Sequence, residues 1–271
     1  SVNTYYVQLI SDIGICPVTQ MAEKMGVARA NGKKLEQTPS IALGVTEVSP
    51  LTMASAYATF ASRGMYCTPI AIESISQRIG NKSKSLEVPK STCSRAMSET
   101  TADTVNTLLK GVVEDGTGTQ AGLGSRASAG KTGTTDERYA AWFVGYTPNL
   151  AGAVWVGDPK HDRQMIDITI GGVPYDKVFG GAVPGPIWRD MMSGALEGKP
   201  APDFTLVDIP DADKGKDKDK NKDKGDGGGR TDGGNGNGGD GGDDGGFPGG
   251  AWGDLFQGQG NGGNGPGGRR D

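Results

Sequence analysis

Histidine is nearly absent from this 271-residue chain, where His161 stands alone. One imidazole beside Asp162, in a polar turn-like stretch, reads as a solvated loop residue, so a Ser-His-Asp triad is not expected. Cysteine is scarce as well. Cys16, Cys67 and Cys93 show no C-x-x-C spacing, which argues against a thiolate metal site. An extracytoplasmic setting permits one disulfide and leaves a spare thiol, and the spacing does not choose the pair. No apolar run is long enough to span a bilayer, and no signal peptide opens the chain. The net charge is −4 with no basic patch, so nothing points to nucleic acid. Hydrophobic residues make up only 34% while glycine numbers 47, and both oddities are concentrated after about Asp211.

That composition shift divides the chain. Residues 1–210 read as the folded part and residues 211–271 as a tail. Lys and Asp alternate through Asp226, then Gly and Asn dominate. Too little apolar surface remains to offset the entropy of ordering, so disorder is predicted there. Gly238 to Gly245 follows the calcium β-helix nonapeptide until its apolar position, where Gly245 stands, and one defective copy builds no solenoid. Phe247, Trp252 and Phe256 are the tail's aromatic residues. They read either as a short motif for cell-wall synthesis proteins or as isolated rings without a role.

Within residues 1–210 the periodicities predict mixed helices and strands. A helix from Asn3 carries Tyr6, Val7 and Ile10 inward, and a second has Pro17 in its first turn and stops at Gly26. Ser49-Pro50 caps a third, with Met53, Tyr57 and Phe60 on one face. Residues 66–78 suggest a strand, turning at Gly80-Asn81-Lys82 into another. Thr100 to Asp103 has capping-box spacing for a helix that buries Val105, Leu108, Leu109, Val112 and Val113. Residues 142–146 and 153–156 read as strands, and Trp188, Met191, Met192 and Ala195 as a helix's inner stripe. The expected class is α+β, an antiparallel sheet covered by helices.

The chemistry concentrates at Lys131-Thr132-Gly133-Thr134-Thr135. A β-branched segment returning through Asp136-Glu137-Arg138 into an aromatic strand reads as an edge strand. Alternation sends Lys131 and Gly133 to one face and Thr132 and Thr134 to the other. Such an edge offers backbone groups and hydroxyls to an extended ligand.

Lys131-Thr132-Gly133 resembles the K-T-G element of penicillin-binding proteins and serine β-lactamases, and Ser1-Val2-Asn3 resembles their S-x-N element. The stretches from Ile41 to Gly64 and from Gly111 to Gly118 also resemble bifunctional (class A) penicillin-binding proteins. The likeness runs from Ser1 to about Leu196. It implies a β-lactamase/transpeptidase-like fold, incomplete here, from a peptidoglycan D,D-transpeptidase. Stem peptides ending in D-Ala-D-Ala and β-lactam antibiotics are the implied partners, with no cofactor or metal. The implied location is the extracytoplasmic face of the bacterial membrane, with the anchor upstream.

The same resemblance implies roles. Ser1 and Lys131 carry protons at the nucleophile, and Asn3 holds a substrate carbonyl. Thr132 and Thr134 bind the carboxylate, the Thr134 N–H supplies half of an oxyanion hole, and Gly133 lets the strand approach its ligand. The nucleophile belongs to an S-x-x-K element before S-x-N, and so before residue 1. Ser128-Ala129-Gly130-Lys131 has that spelling, but the motif needs a helix and this stretch reads as strand. Thr107 to Lys110 has helical spacing and reads as a buried face. A fragment is expected, inactive alone. Competing readings are a solvated strand lysine beside a β-forming threonine, and a simple helix cap at Ser1-Val2-Asn3. For the parent they are a serine β-lactamase, a D,D-carboxypeptidase, or a noncatalytic β-lactam-binding or scaffolding domain. None of Glu23, Glu36 and Glu47 sits in the E-x-x-x-N setting of class A β-lactamases.

Overall fold

The computed structural model describes residues 2–209. Ser1 and the tail features, including Gly238 to Gly245 and Phe247, Trp252 and Phe256, lie outside the described residues.

Helices α1 (Asn3–Ile13) and α2 (Ile15–Lys24) open the chain, parted at Gly14 with φ 89°, a conformation that costs only glycine nothing. Ile10 is buried as expected, but Tyr6 is exposed. In α3 (Pro50–Ala61) the Ser49 hydroxyl accepts the Thr52 N–H at 3.1 Å and Pro50 sits in the first turn. Strands β1 (Met65–Cys67), β2 (Ile75–Ile79), β3 (Lys82–Leu86) and β4 (Cys93–Arg95) follow. The strand expected over residues 66–78 is broken: pairing continues to Thr68, whose N–H reaches Thr92 O at 2.9 Å, and Pro69 has no N–H to extend it. β2 and β3 form the expected hairpin around Gly80-Asn81. Cys67 and Cys93 face each other across β1 and β4 and are disulfide-bonded, leaving Cys16 free.

Helix α4 (Glu99–Glu114) corrects two expectations. Its cap is Ser98, which accepts the Thr101 N–H at 3.1 Å, rather than a Thr100–Asp103 box. Asp103 is buried instead, and its carboxylate takes two guanidinium bonds from Arg63, at 3.1 and 2.8 Å. A paired charge at long range wins over the local cap. Leu108 is 58% exposed, because the inner stripe is Ala102, Asp103, Asn106 and Val113.

Strands β5 (Ala129–Thr134), β6 (Ala140–Thr147) and β7 (Leu150–Gly157) make an antiparallel sheet in that order. Strands β8 (Ile166–Ile170) and β9 (Val173–Lys177) form a hairpin absent from the sequence expectations. Its turn, Gly171-Gly172, has φ of 59° and 83°, the pattern of a two-residue turn with positive φ at both centres. Helix α5 (Pro184–Ala195) closes the fold.

Register aligns Gly130, Gly145 and Gly152 in one row across β5, β6 and β7. The row is a trough for α5. A Cβ on Gly145 would lie 2.8 Å from Trp188 Cζ2, and one on Gly152 would lie 2.7 Å from Met191 Cε. Trp188 fills the trough, donating its indole N–H to Gly152 O at 3.1 Å and stacking on Phe143 at 5.1 Å. The inner stripe of α5 runs Trp188, Met192 and on to Leu196; Met191 and Ala195 turn outward, against expectation. On the opposite face Tyr146 meets Tyr57 and Phe60 of α3 at 6.0 and 6.3 Å. The sheet therefore lies between α5 and α3, an α+β layering. Fully burying Trp188 or Phe143 contributes roughly 1.5–3 kcal/mol each.

Candidate active site

β5 is a margin of the sheet among the described residues. Thr135 donates its N–H to Ala140 O at 3.0 Å. Backbone groups alternate along a strand, so Lys131 and Gly133 point theirs into the sheet. Thr132 and Thr134 point N–H and C=O outward, along an edge that a ligand strand can meet. Side chains follow the register. Lys131 opposes Val144 and shares the α3 face with Tyr146; Thr132 and Thr134 oppose Phe143 and Ala141 on the α5 face.

The hydroxyls are held from beneath. Gly180 donates its N–H to Thr134 Oγ1 at 3.0 Å, and Thr117 Oγ1 lies 2.8 Å from Thr132 Oγ1. A Cβ on Gly180 would stand 2.3 Å from Trp142 O and 2.7 Å from Gly133 O. Only a bare backbone fits that gap. Lys131 folds along the strand, giving its ammonium to Thr132 O at 3.0 Å and lying 3.4 Å from Thr132 Oγ1. Burial holds the Lys131 pKa below the ordinary lysine value, because desolvation disfavours the cation. A lysine with a lowered pKa gives up its proton more readily than a solvated one.

Of the residues singled out from sequence, Lys131, Thr132, Gly133 and Thr134 are contiguous on β5. Asn3 is the first residue of α1 and is exposed. The position before it, Val2, is the cap and makes no side-chain cap bond, so this element is not simply a Ser or Asn helix cap. Ser1 lies outside the described residues. Ser128 directly precedes β5 and Lys131 lies within it. Three residues apart on an extended chain face opposite ways, which removes the S-x-x-K spelling from consideration. His161 is exposed, with its imidazole 3.5 Å from Asp158. Thr117, Gly180 and Gly181 were missed. The Gly111 to Gly118 stretch stood out in the sequence, but the contact of Thr117 to Thr132 crosses 15 residues and no local pattern encodes it.

The family model for the penicillin binding protein transpeptidase domain matches residues 1–191. The chain belongs to the penicillin-binding protein transpeptidase family. The curated proteins it is similar to include those of the penicillin-binding protein 1A type. It is 33% identical over 207 residues to penicillin-binding protein 1A of Aquifex aeolicus, a match covering 76% of this chain and 26% of that protein. The chain thus spans about a quarter of that relative's length. Among solved structures it is similar to the penicillin-binding protein PonA1 from Mycobacterium tuberculosis, at TM-score 0.63 and 29% identity, covering 76% of this chain and 56% of the other. PonA1 in complex with penicillin V is similar at TM-score 0.61 and 28% identity, covering 76% and 57%. Within the matched residues, β5 carries Lys131-Thr132-Gly133.

Proposed function

We propose that this chain is the C-terminal part of a peptidoglycan D,D-transpeptidase domain. The parent protein cross-links stem peptides ending in D-Ala-D-Ala and is acylated by β-lactams. The observation that carries the reading is the open margin of β5, where Thr132 and Thr134 turn both backbone groups outward beside a desolvated Lys131. A substrate lying along this margin adds itself as a strand.

In this reading a serine outside the 271 residues attacks the penultimate D-Ala carbonyl. Its proton passes through Lys131 and Ser1 to the leaving amine. D-Ala departs, an acyl-enzyme remains, and the amine of a neighbouring stem displaces the serine. The Thr134 N–H donates to the oxyanion as charge develops, a contribution worth roughly 100–1000-fold in rate for one such donor. Asn3 holds a substrate carbonyl, and the Thr132 and Thr134 hydroxyls receive the terminal carboxylate. Gly133 keeps the strand thin where the ligand lies.

Two features support an incomplete domain over residues 1–210. No S-x-x-K on a helix occurs among the described residues, and α1 with its cap Val2 exposes Val2, Tyr5, Tyr6, Leu9 and Ile13, an apolar face that complete domains cover. The Cys67–Cys93 bond supports an oxidising, extracytoplasmic setting. No helix among the described residues is long and apolar enough to cross a membrane, and the anchor is assigned to the parent. Residues 211–271 are assigned as a tail that meets cell-wall synthesis proteins.

The test is labelling with a fluorescent penicillin. The complete gene product is labelled, its Lys131→Ala variant is not, and this chain alone is not. Product analysis then reads cross-linked stems for a transpeptidase, free D-Ala with water as acceptor for a carboxypeptidase, and rapid nitrocefin turnover for a β-lactamase. An unlabelled complete product would overturn the proposal.

A further inference from the structure

Thr117 lies outside the S-x-N and K-T-G elements, yet its hydroxyl meets that of Thr132 at 2.8 Å. Its backbone is fixed on two sides. A Cβ on Gly181 would stand 2.3 Å from Thr117 O, and one on Gly118 would lie 3.1 Å from both Phe143 Cε2 and Val112 O. The turn is wedged between the 178–183 loop and the sheet, so Thr117 Oγ1 is presented to Thr132 from a set position.

We infer that Thr117 is a positioning residue that aims the Thr132 hydroxyl proton at a substrate carboxylate. This rests on the reading of β5 as the carboxylate-binding margin. A hydroxyl has one proton to give and two lone pairs to fill. The Lys131 ammonium lies 3.4 Å from Thr132 Oγ1 and is donor only, which directs it to one lone pair. When Thr117 donates to the other, the Thr132 proton has no further partner among the described residues and points to the open edge. The reverse arrangement, with Thr132 donating to Thr117, turns a lone pair toward an incoming anion and repels it. A carboxylate therefore selects the first arrangement. In that state Thr132 Oγ1 accepts twice, once from a cation, which polarises its O–H and strengthens the bond it gives. Thr117 touches no substrate atom in this scheme; it acts through Thr132.

The experiment uses the complete gene product, with Thr117→Ala and Thr117→Ser, and two acylating agents. Benzylpenicillin carries the carboxylate; its methyl ester does not. The alanine variant loses about three- to tenfold in its acylation rate with benzylpenicillin, the range set by one net hydrogen bond, while the serine variant stays within about twofold. The ester reacts at one common rate with all three proteins. Because each protein sample serves as its own control, the ratio of the two rates is indifferent to partial misfolding. An unchanged ratio in Thr117→Ala, or a serine variant as impaired as alanine, would overturn the inference alone. An unsubstituted protein that neither agent acylates would overturn the reading of the site and this inference with it.

Discussion

Replacing Gly180 by alanine asks whether the K-T-G strand is held by the loop beneath it. The added methyl carbon would lie 2.3 Å from Trp142 O, 2.7 Å from Gly133 O and 3.0 Å from Gly133 N. All three neighbours are backbone, so no side-chain rotation relieves the overlap. Either the 178–183 loop lifts or β5 and β6 part. Overpacking costs about 1–3 kcal/mol, and losing the Gly180 N–H bond to Thr134 Oγ1 adds about 1 kcal/mol, giving about 2–4 kcal/mol in all. For a domain of this size that lowers the melting midpoint by about 4–16 °C. Gly111, inside α4, is the control. A Cβ there meets nothing within 4 Å, so Gly111→Ala stabilises by about 0.4–1 kcal/mol. Thermal unfolding of the complete gene product reads both, and penicillin acylation of the Gly180 variant falls as Thr134 moves. A Gly180→Ala protein with unchanged midpoint and acylation would refute the view that this loop sets the strand.

Further tests address the core, the disulfide and pH. Tyr146→Phe leaves the buried Asn106 Oδ1, which now accepts the Tyr146 hydroxyl at 2.7 Å, without its donor, and costs about 1–3 kcal/mol in urea titration. Cys67→Ser opens a bridge spanning 26 residues and costs about 3.5 kcal/mol by loop closure, with the same loss on reduction of the native protein. Burial pushes the Tyr57 phenol up to about 12 from its ordinary 10.0. The folded state thus favours the neutral phenol, so its contribution is complete below pH 10 and is lost as pH rises through about 12. Ultraviolet titration should find a late-ionising tyrosine that Tyr57→Phe removes, and that variant should lose less stability across the same window.

The sequence exposed what is periodic or locally punctuated. Ser49-Pro50, Gly80-Asn81 and the Lys131 strand could be read because a cap, a turn and an alternation each depend on a few neighbouring residues. Asp103 was misassigned to a cap because Arg63, its partner, lies 40 residues away. Leu108 was misassigned to the core because Ala102 and Asn106 occupy the inner stripe. Small and amide side chains beneath a close-packed sheet mimic a polar face in periodicity. The candidate site shows the same division. Lys131 to Thr134 could be found from their own spelling, whereas Thr117, Gly180 and Gly181 support them only through chain contacts formed on folding.

The most direct measurement maps the penicilloyl adduct by mass spectrometry after proteolysis of the labelled complete gene product. The account predicts one modified peptide, carrying a serine of an S-x-x-K element outside these 271 residues, and no adduct when this chain is treated alone. An adduct on any residue of this chain, Ser128 included, would contradict it.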